Sequence, residues 1–150
     1  MSMDILLVED NEGDIRLMRE VLGRINPTAR LHVVTDGAEA IDFLRHRGRY
    51  LDVPRPDVIL LDLSLPKLHG REVLAWIKAN PHLQTIPVIV LTACESEPEL
   101  VTCYKLMANS YLKKPESWDE FEELVICLNN FWFIRVKLPA KNPRVEFSVD

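Results

Sequence analysis

Five short runs, Ile5–Val8, Leu31–Val34, Val58–Leu61, Val88–Leu91 and Ser110–Leu112, alternate along this chain with segments whose apolar residues recur at helical spacing. The runs have strand length, and the segments between them are long enough to carry a helix each. Ile15, Met18, Val21, Leu22 and Ile25 form one helical face. Asp36-Gly37 breaks the chain before Ala38–Leu44, and Gly70 precedes a third helix with Val73, Leu74 and Ile77 inward and Asn80-Pro81 at its end. The fourth helix is expected over Glu97–Met107. The fifth starts at Ser117, an N-cap with Glu120 three residues on, and extends to about Phe133. Strand–helix alternation with helix-length crossovers specifies a doubly wound α/β domain, in which a parallel five-stranded sheet is covered by helices on both faces. Val58-Ile59-Leu60-Leu61 has the continuous apolar composition of a strand buried on both sides.

A chain of 150 residues with 47% apolar and 27% charged residues suits one domain with a proper core. Its formal net charge of −5 argues against a nucleic-acid grip by the domain as a whole. The amino terminus, Met1–Asp10, lacks the basic lead of a signal peptide, and no run approaches membrane-spanning length. Cys94, Cys103 and Cys127 are odd in number and have no CxxC spacing, so free thiols in a cytoplasmic protein are expected. Two segments fall outside the alternation. His46–Asp57, rich in Arg and Pro, lengthens one crossover, and residues 136–150 form a tail after the domain of residues 1–135.

All strands of such a sheet end on one edge, where open α/β sheets bind ligands. That edge collects Glu9-Asp10, Asp62, Thr92-Ala93 and Lys113-Lys114-Pro115. Three converging carboxylates repel one another and call for a cation. Oxygen ligands without His or Cys favour a hard divalent ion, and Mg²⁺ is expected. A hydroxyl and an ammonium beside them suit a phosphoryl group, and a carboxylate can itself accept one. Taken singly, Asp62 could be a strand-end cap, Thr92 a plain β-former and Tyr111 plain core, while Asp14 reads as a first-turn acid favoured by the helix dipole.

Over residues 4–133 these motifs, in this order, resemble the receiver domain of two-component response regulators. The hallmarks are Glu9-Asp10, Asp62, Pro66, Gly70, Thr92-Ala93 and Lys114-Pro115. The resemblance implies the flavodoxin-like strand order 2-1-3-4-5 and makes Asp62 the phosphoacceptor. Asp10, Asp62 and the main-chain carbonyl of Ser64 would ligate Mg²⁺, with Glu9 acting through water. Lys114 would pair with phosphoryl oxygens, and its bond to Pro115 would be cis. Thr92, with Ala93 beside it, would contact the phosphoryl group, and Tyr111 would swing inward behind Thr92. Ser64 and Cys94 occupy the positions that tune phosphoryl lifetime in the family.

A narrower resemblance, carried by Gly48-Arg49-Tyr50, Pro54-Arg55-Pro56-Asp57, Gly70–Leu74, Asn130–Phe133 and Lys137-Leu138-Pro139, is to regulators paired with bacterial phytochrome histidine kinases. It implies a histidine kinase as phosphodonor and a receiver without an attached output module. The apolar surplus of the fifth helix predicts a homodimer through the C-terminal region. Trp118, Phe121, Leu124, Val125, Leu128, Phe131 and Trp132 fit its core face, while Ile126, Cys127, Phe133 and Ile134 lie elsewhere. Alternatively the tail folds back over that surface, with Val145, Phe147 and Val149 as a short strand. Two other functions compete with phosphoacceptor signalling. One is an aspartyl-nucleophile phosphohydrolase, disfavoured because Leu63-Ser64 offers no second acid after Asp62. The other is a binding module that is never phosphorylated.

Overall fold

The expected runs become strands whose side chains alternate between two cores, and this alternation positions the site. The structure is a computed structural model that describes residues 2–93 and 96–141. Strands β1 (Asp4–Val8), β2 (Arg30–Val34), β3 (Val58–Leu61), β4 (Val88–Thr92) and β5 (Ser110–Lys113) form one sheet in the order β2-β1-β3-β4-β5. Every neighbouring pair is parallel. Between them lie α1 (Glu12–Ile25), α2 (Gly37–Leu44), α3 (Gly70–Ala79) and α4 (Glu97–Lys105), with α5 (Trp118–Leu128) after β5.

Successive strand residues point to opposite faces of a sheet. On one face Leu6, Val8, Ile59, Leu61, Val88 and Val90 pack with Phe43, Val73, Leu74, Ile77 and Cys103, under α2, α3 and α4. On the other Ile5, Leu7, Val58, Leu60, Ile89 and Leu91 pack with Met18, Val21, Leu22, Phe121 and Val125, under α1 and α5. β1, β3 and β4 are buried along their whole length, as central strands covered on both sides must be. The extra crossover segment holds a 3₁₀ turn, Gly48–Tyr50. This turn closes onto α2 through the Tyr50 ring against Phe43 and the Tyr50 hydroxyl donating to Glu39 Oε1 at 3.1 Å.

Two expectations about the helices are corrected. α4 ends at Lys105, because Met107 takes a left-handed conformation (φ 72°). The fifth helix is α-helical only to Leu128. It continues as a π-helical stretch, Asn129–Arg135, closed by Val136 N–H donating to Phe131 O. An i to i+5 repeat moves the inward face from the position four residues after Leu128 to the one five after it. Phe133 is therefore in the core at 6% exposure, whereas Phe131 and Ile134 are 58% and 62% exposed. Trp118, also assigned to the core face, is 61% exposed at the start of α5.

Beyond the π-helical stretch, Leu138 packs against the α1/α5 core, and Lys141 reaches the foot of the sheet. The strand proposed for Val145, Phe147 and Val149 lies outside the described residues. No helix among the described residues is long and apolar enough to cross a membrane.

Candidate functional site

Strands β1, β3 and β5 carry their pairing one residue beyond their regular ends. Glu9 N–H donates to Val34 O at 3.0 Å, Asp62 N–H to Val8 O at 3.0 Å and Lys114 N–H to Thr92 O at 2.8 Å. The two-residue alternation therefore still governs these residues. Glu9 follows the phase of Ile5 and Leu7, Asp62 that of Val58 and Leu60, and Lys114 that of Leu112, so all three side chains emerge on the α1 side. Thr92 and Tyr111 follow Val90 and the opposite phase, toward α4. The same parity separates the adjacent lysines: Lys113 is exposed and Lys114 buried.

Glu9, Asp62 and Lys114 meet in a pocket almost closed to solvent. Lys114 Nζ donates to Glu9 Oε1, to Asp14 Oδ2 at 2.9 Å and to Asp62 Oδ2 at 3.3 Å. Glu9 Oε2 accepts the N–H groups of Asp10 and Asn11 at 3.1 and 3.2 Å. Asn11 in turn caps α1, its Oδ1 accepting from Asp14 N–H at 3.0 Å. Asp62 Oδ1 accepts the N–H of Ser64 at 3.2 Å. Burial, and then the neighbouring Asp62 carboxylate, push Glu9 up to about 7 against the pull of Lys114. Burial alone would lower Lys114, but its bonds to Glu9 and Asp14 outweigh it and hold the ammonium charged.

Carboxylate oxygens of Glu9, Asp10 and Asp62 come within 4.8 Å of one another, with Asp10 exposed and the other two buried. This all-oxygen, anionic donor set fits a hard divalent cation. Thr92 is fully buried at the end of β4, and Ala93 beside it is exposed. Tyr111 is half-buried against the α4-side core, and its N–H donates to the Tyr104 hydroxyl at 3.2 Å. Gly70 explains how α3 begins so close to Asp62. A Cβ there would lie 2.3 Å from Asp62 O and 2.6 Å from Leu63 Cα.

One sequence expectation fails and one residue was missed. No cis peptide bond occurs among the described residues, so Lys114–Pro115 is trans. The tertiary amide separates the two isomers by only about 0.5–1 kcal/mol, so local sequence does not decide between them. The missed residue is Asp14, read from sequence as a first-turn acid yet bonded to Lys114. The cap at Asn11 was the available signal, since it places residue 14 in the first turn of α1, directly above the strand ends. Cys94 lies outside the described residues.

A strand-end carboxylate flanked by two further acids, with a buried lysine from the last strand, matches the arrangement that the family resemblance requires. The sequence profile of the response regulator receiver domain matches residues 5–126. This chain belongs to the response regulator receiver family. The receiver is 46% identical over 136 residues to response regulator Rcp1 of Synechocystis sp., covering 91% of this chain and 92% of that protein. The structure of the Mn²⁺-bound form of Rcp1 superposes with a TM-score of 0.89 at 45% identity, over 92% of the receiver and 99% of that chain. The phosphorylated cyanobacterial phytochrome response regulator RcpA superposes with a TM-score of 0.90 at 41% identity, over 93% and 100% of the two chains. The fold is thus the receiver fold, with the expected strand order 2-1-3-4-5.

Proposed function

We propose that this receiver accepts a phosphoryl group on Asp62 from the phosphohistidine of a histidine kinase and signals by the resulting change in conformation. The observation that carries the reading is the Lys114 ammonium lying among Glu9, Asp14 and Asp62 at the strand ends. In the transfer an Asp62 carboxylate oxygen forms a bond to phosphorus. The phosphorus–nitrogen bond of the donor breaks, and its electron pair returns to the imidazole, which takes up a proton. Lys114 neutralises charge on the phosphoryl oxygens. Glu9, Asp10, Asp62 and the Ser64 carbonyl would hold a divalent ion, taken here as Mg²⁺, which supplies charge neutralisation at the transferred group. Thr92 and Ala93 would meet the phosphoryl group from β4, and Tyr111 would move behind Thr92. Pairing with a phytochrome kinase is supported by the likeness to RcpA, a phytochrome response regulator. A cytoplasmic location fits these assignments.

Incubation with acetyl phosphate and Mg²⁺ tests the acceptor directly. Intact-mass spectrometry is expected to find one added phosphoryl group, absent without Mg²⁺ and absent in Asp62→Asn. An Asp62→Asn variant labelled as well as the parent would refute the assignment.

The exposed Phe131 and Ile134 support a homodimer through the C-terminal region, because large apolar side chains left exposed in one short segment mark interfaces. Sedimentation is expected to detect a dimer that Phe131→Glu with Ile134→Glu dissociates. Monomer alone at high concentration, with and without phosphorylation, would overturn it.

A further inference from the structure

The bonds of Lys114 are unequally replaceable, and Asp14 is the one built to let go. An ammonium has three N–H donors, and here each is taken by a different carboxylate. Charge-assisted bonds of this kind settle at about 2.7–2.9 Å. The contact with Asp14 meets that range at 2.9 Å, whereas the contact with Asp62 is stretched to 3.3 Å. The ammonium is therefore held between Glu9 and Asp14 and kept off Asp62.

Glu9 does not readily exchange it for water, because its side chain is 2% exposed inside the pocket. Asp14 is 19% exposed and borders a cleft of about 130 Å³ lined also by Pro115, Glu116, Ser117, Trp118 and Phe121. Water entering that cleft can replace Lys114 at Asp14 at little cost.

We propose that Asp14 is a releasable tether on Lys114, a positioning residue that opposes the phosphorylated state by holding the ammonium away from Asp62. The proposal rests on Asp62 being the acceptor. When the acceptor carries a phosphoryl group, Nζ moves onto its oxygens, the Asp14 bond breaks and the carboxylate hydrates. Asp14 thereby sets the balance between the two states of the receiver without touching the transferred group.

The test is the affinity for beryllofluoride, a phosphoryl mimic that adds to a carboxylate, measured by ¹⁹F NMR at fixed Mg²⁺. Asp14→Asn keeps the backbone N–H that Asn11 caps and is expected to tighten binding about 3- to 10-fold. Glu12→Gln removes the same charge from the same turn, at a residue with no bond to Lys114 among the described residues, and is expected to change affinity less than about 2-fold. In ¹⁵N spectra the Lys114 Nζ resonance should differ between parent and Asp14→Asn in the free protein and coincide in the beryllofluoride complex, where the tether is already released. Unchanged or weaker binding in Asp14→Asn, equal tightening in Glu12→Gln, or a resonance difference that persists in the complex would overturn the proposal. Absence of beryllofluoride binding in the parent would instead defeat the acceptor assignment, and the tether with it.

Discussion

At the scale of single residues, close approach matters as much as charge. Gly70 lets α3 start against the backbone of Asp62 and Leu63, and its N–H donates to Leu63 O at 3.0 Å. A methyl group at this position has only backbone to displace. Gly70→Ala is therefore expected to lower stability by about 1–3 kcal/mol, read from the urea midpoint. It should also slow acetyl-phosphate labelling, because the shift falls on the backbone of Asp62, the proposed acceptor. Asp62, Asp10, Thr92 and Lys114 were legible as a set because each follows a strand in a fixed order. Asp14 was not, because its bond to Lys114 spans 100 positions of sequence. Helix-dipole logic already accounts for an acid at that place, and the Asn11 cap, which sets Asp14 in the first turn of α1, does not name its distant partner.

At the scale of elements, the strands and first three helices follow from hydrophobic period, the fourth stops two residues short of Met107, and the end of the fifth departs from the period. Periodicity assumes one repeat, and the π-helical stretch changes that repeat inside an apolar segment with residues to offer at every phase. Asn129 shows what holds the change in place. It is buried at 1% exposure, and its Oδ1 accepts from Asn26 Nδ2, at the C-terminal cap of α1, at 2.8 Å. This bond joins the ends of α1 and α5, which are also linked by Arg24 and Glu122. Asn129→Ala leaves the Asn26 amide without its partner and is expected to cost about 1–2 kcal/mol. Urea denaturation measures that loss. A smaller effect on beryllofluoride affinity is expected, since the contact lies at the opposite end of α1 from the acceptor.

At the scale of the whole molecule, charge is divided between the two ends of the sheet. The upper edge carries Glu9, Asp10 and Asp62. At the foot, fully buried Asp4 accepts from Arg30 Nε and Nη2 at 2.7 and 2.8 Å, lies 2.9 Å from His32 Nε2, and receives Lys141 from the tail. Lys141 also lies 3.3 Å from Asp57. Burial works to raise Asp4, but Arg30, Lys141 and His32 outweigh it and hold the carboxyl well below the ordinary 3.8. A depressed folded value means that the unfolded chain takes up this proton first as pH falls. The stabilisation is therefore complete above the unfolded value and is lost as pH drops through the folded one. Urea midpoints measured from about pH 6 to about pH 2.5 are expected to fall more steeply in the parent than in Asp4→Asn, which should be less stable at neutral pH. Equal slopes would remove Asp4 from the acid limb.

By itself the sequence determined the α/β alternation, the edge on which the acids, hydroxyl and lysine gather, and the acceptor chemistry they suit. These depend on local period and on the shared direction of parallel strands, both written along the chain. Tertiary structure alone decided which acids hold Lys114, that Phe133 rather than Phe131 enters the core, that Lys114–Pro115 is trans, and that Arg30, His32 and Lys141 converge on Asp4. Each of these turns on register and packing between segments far apart in the chain, or on an energy gap too small for local sequence to settle.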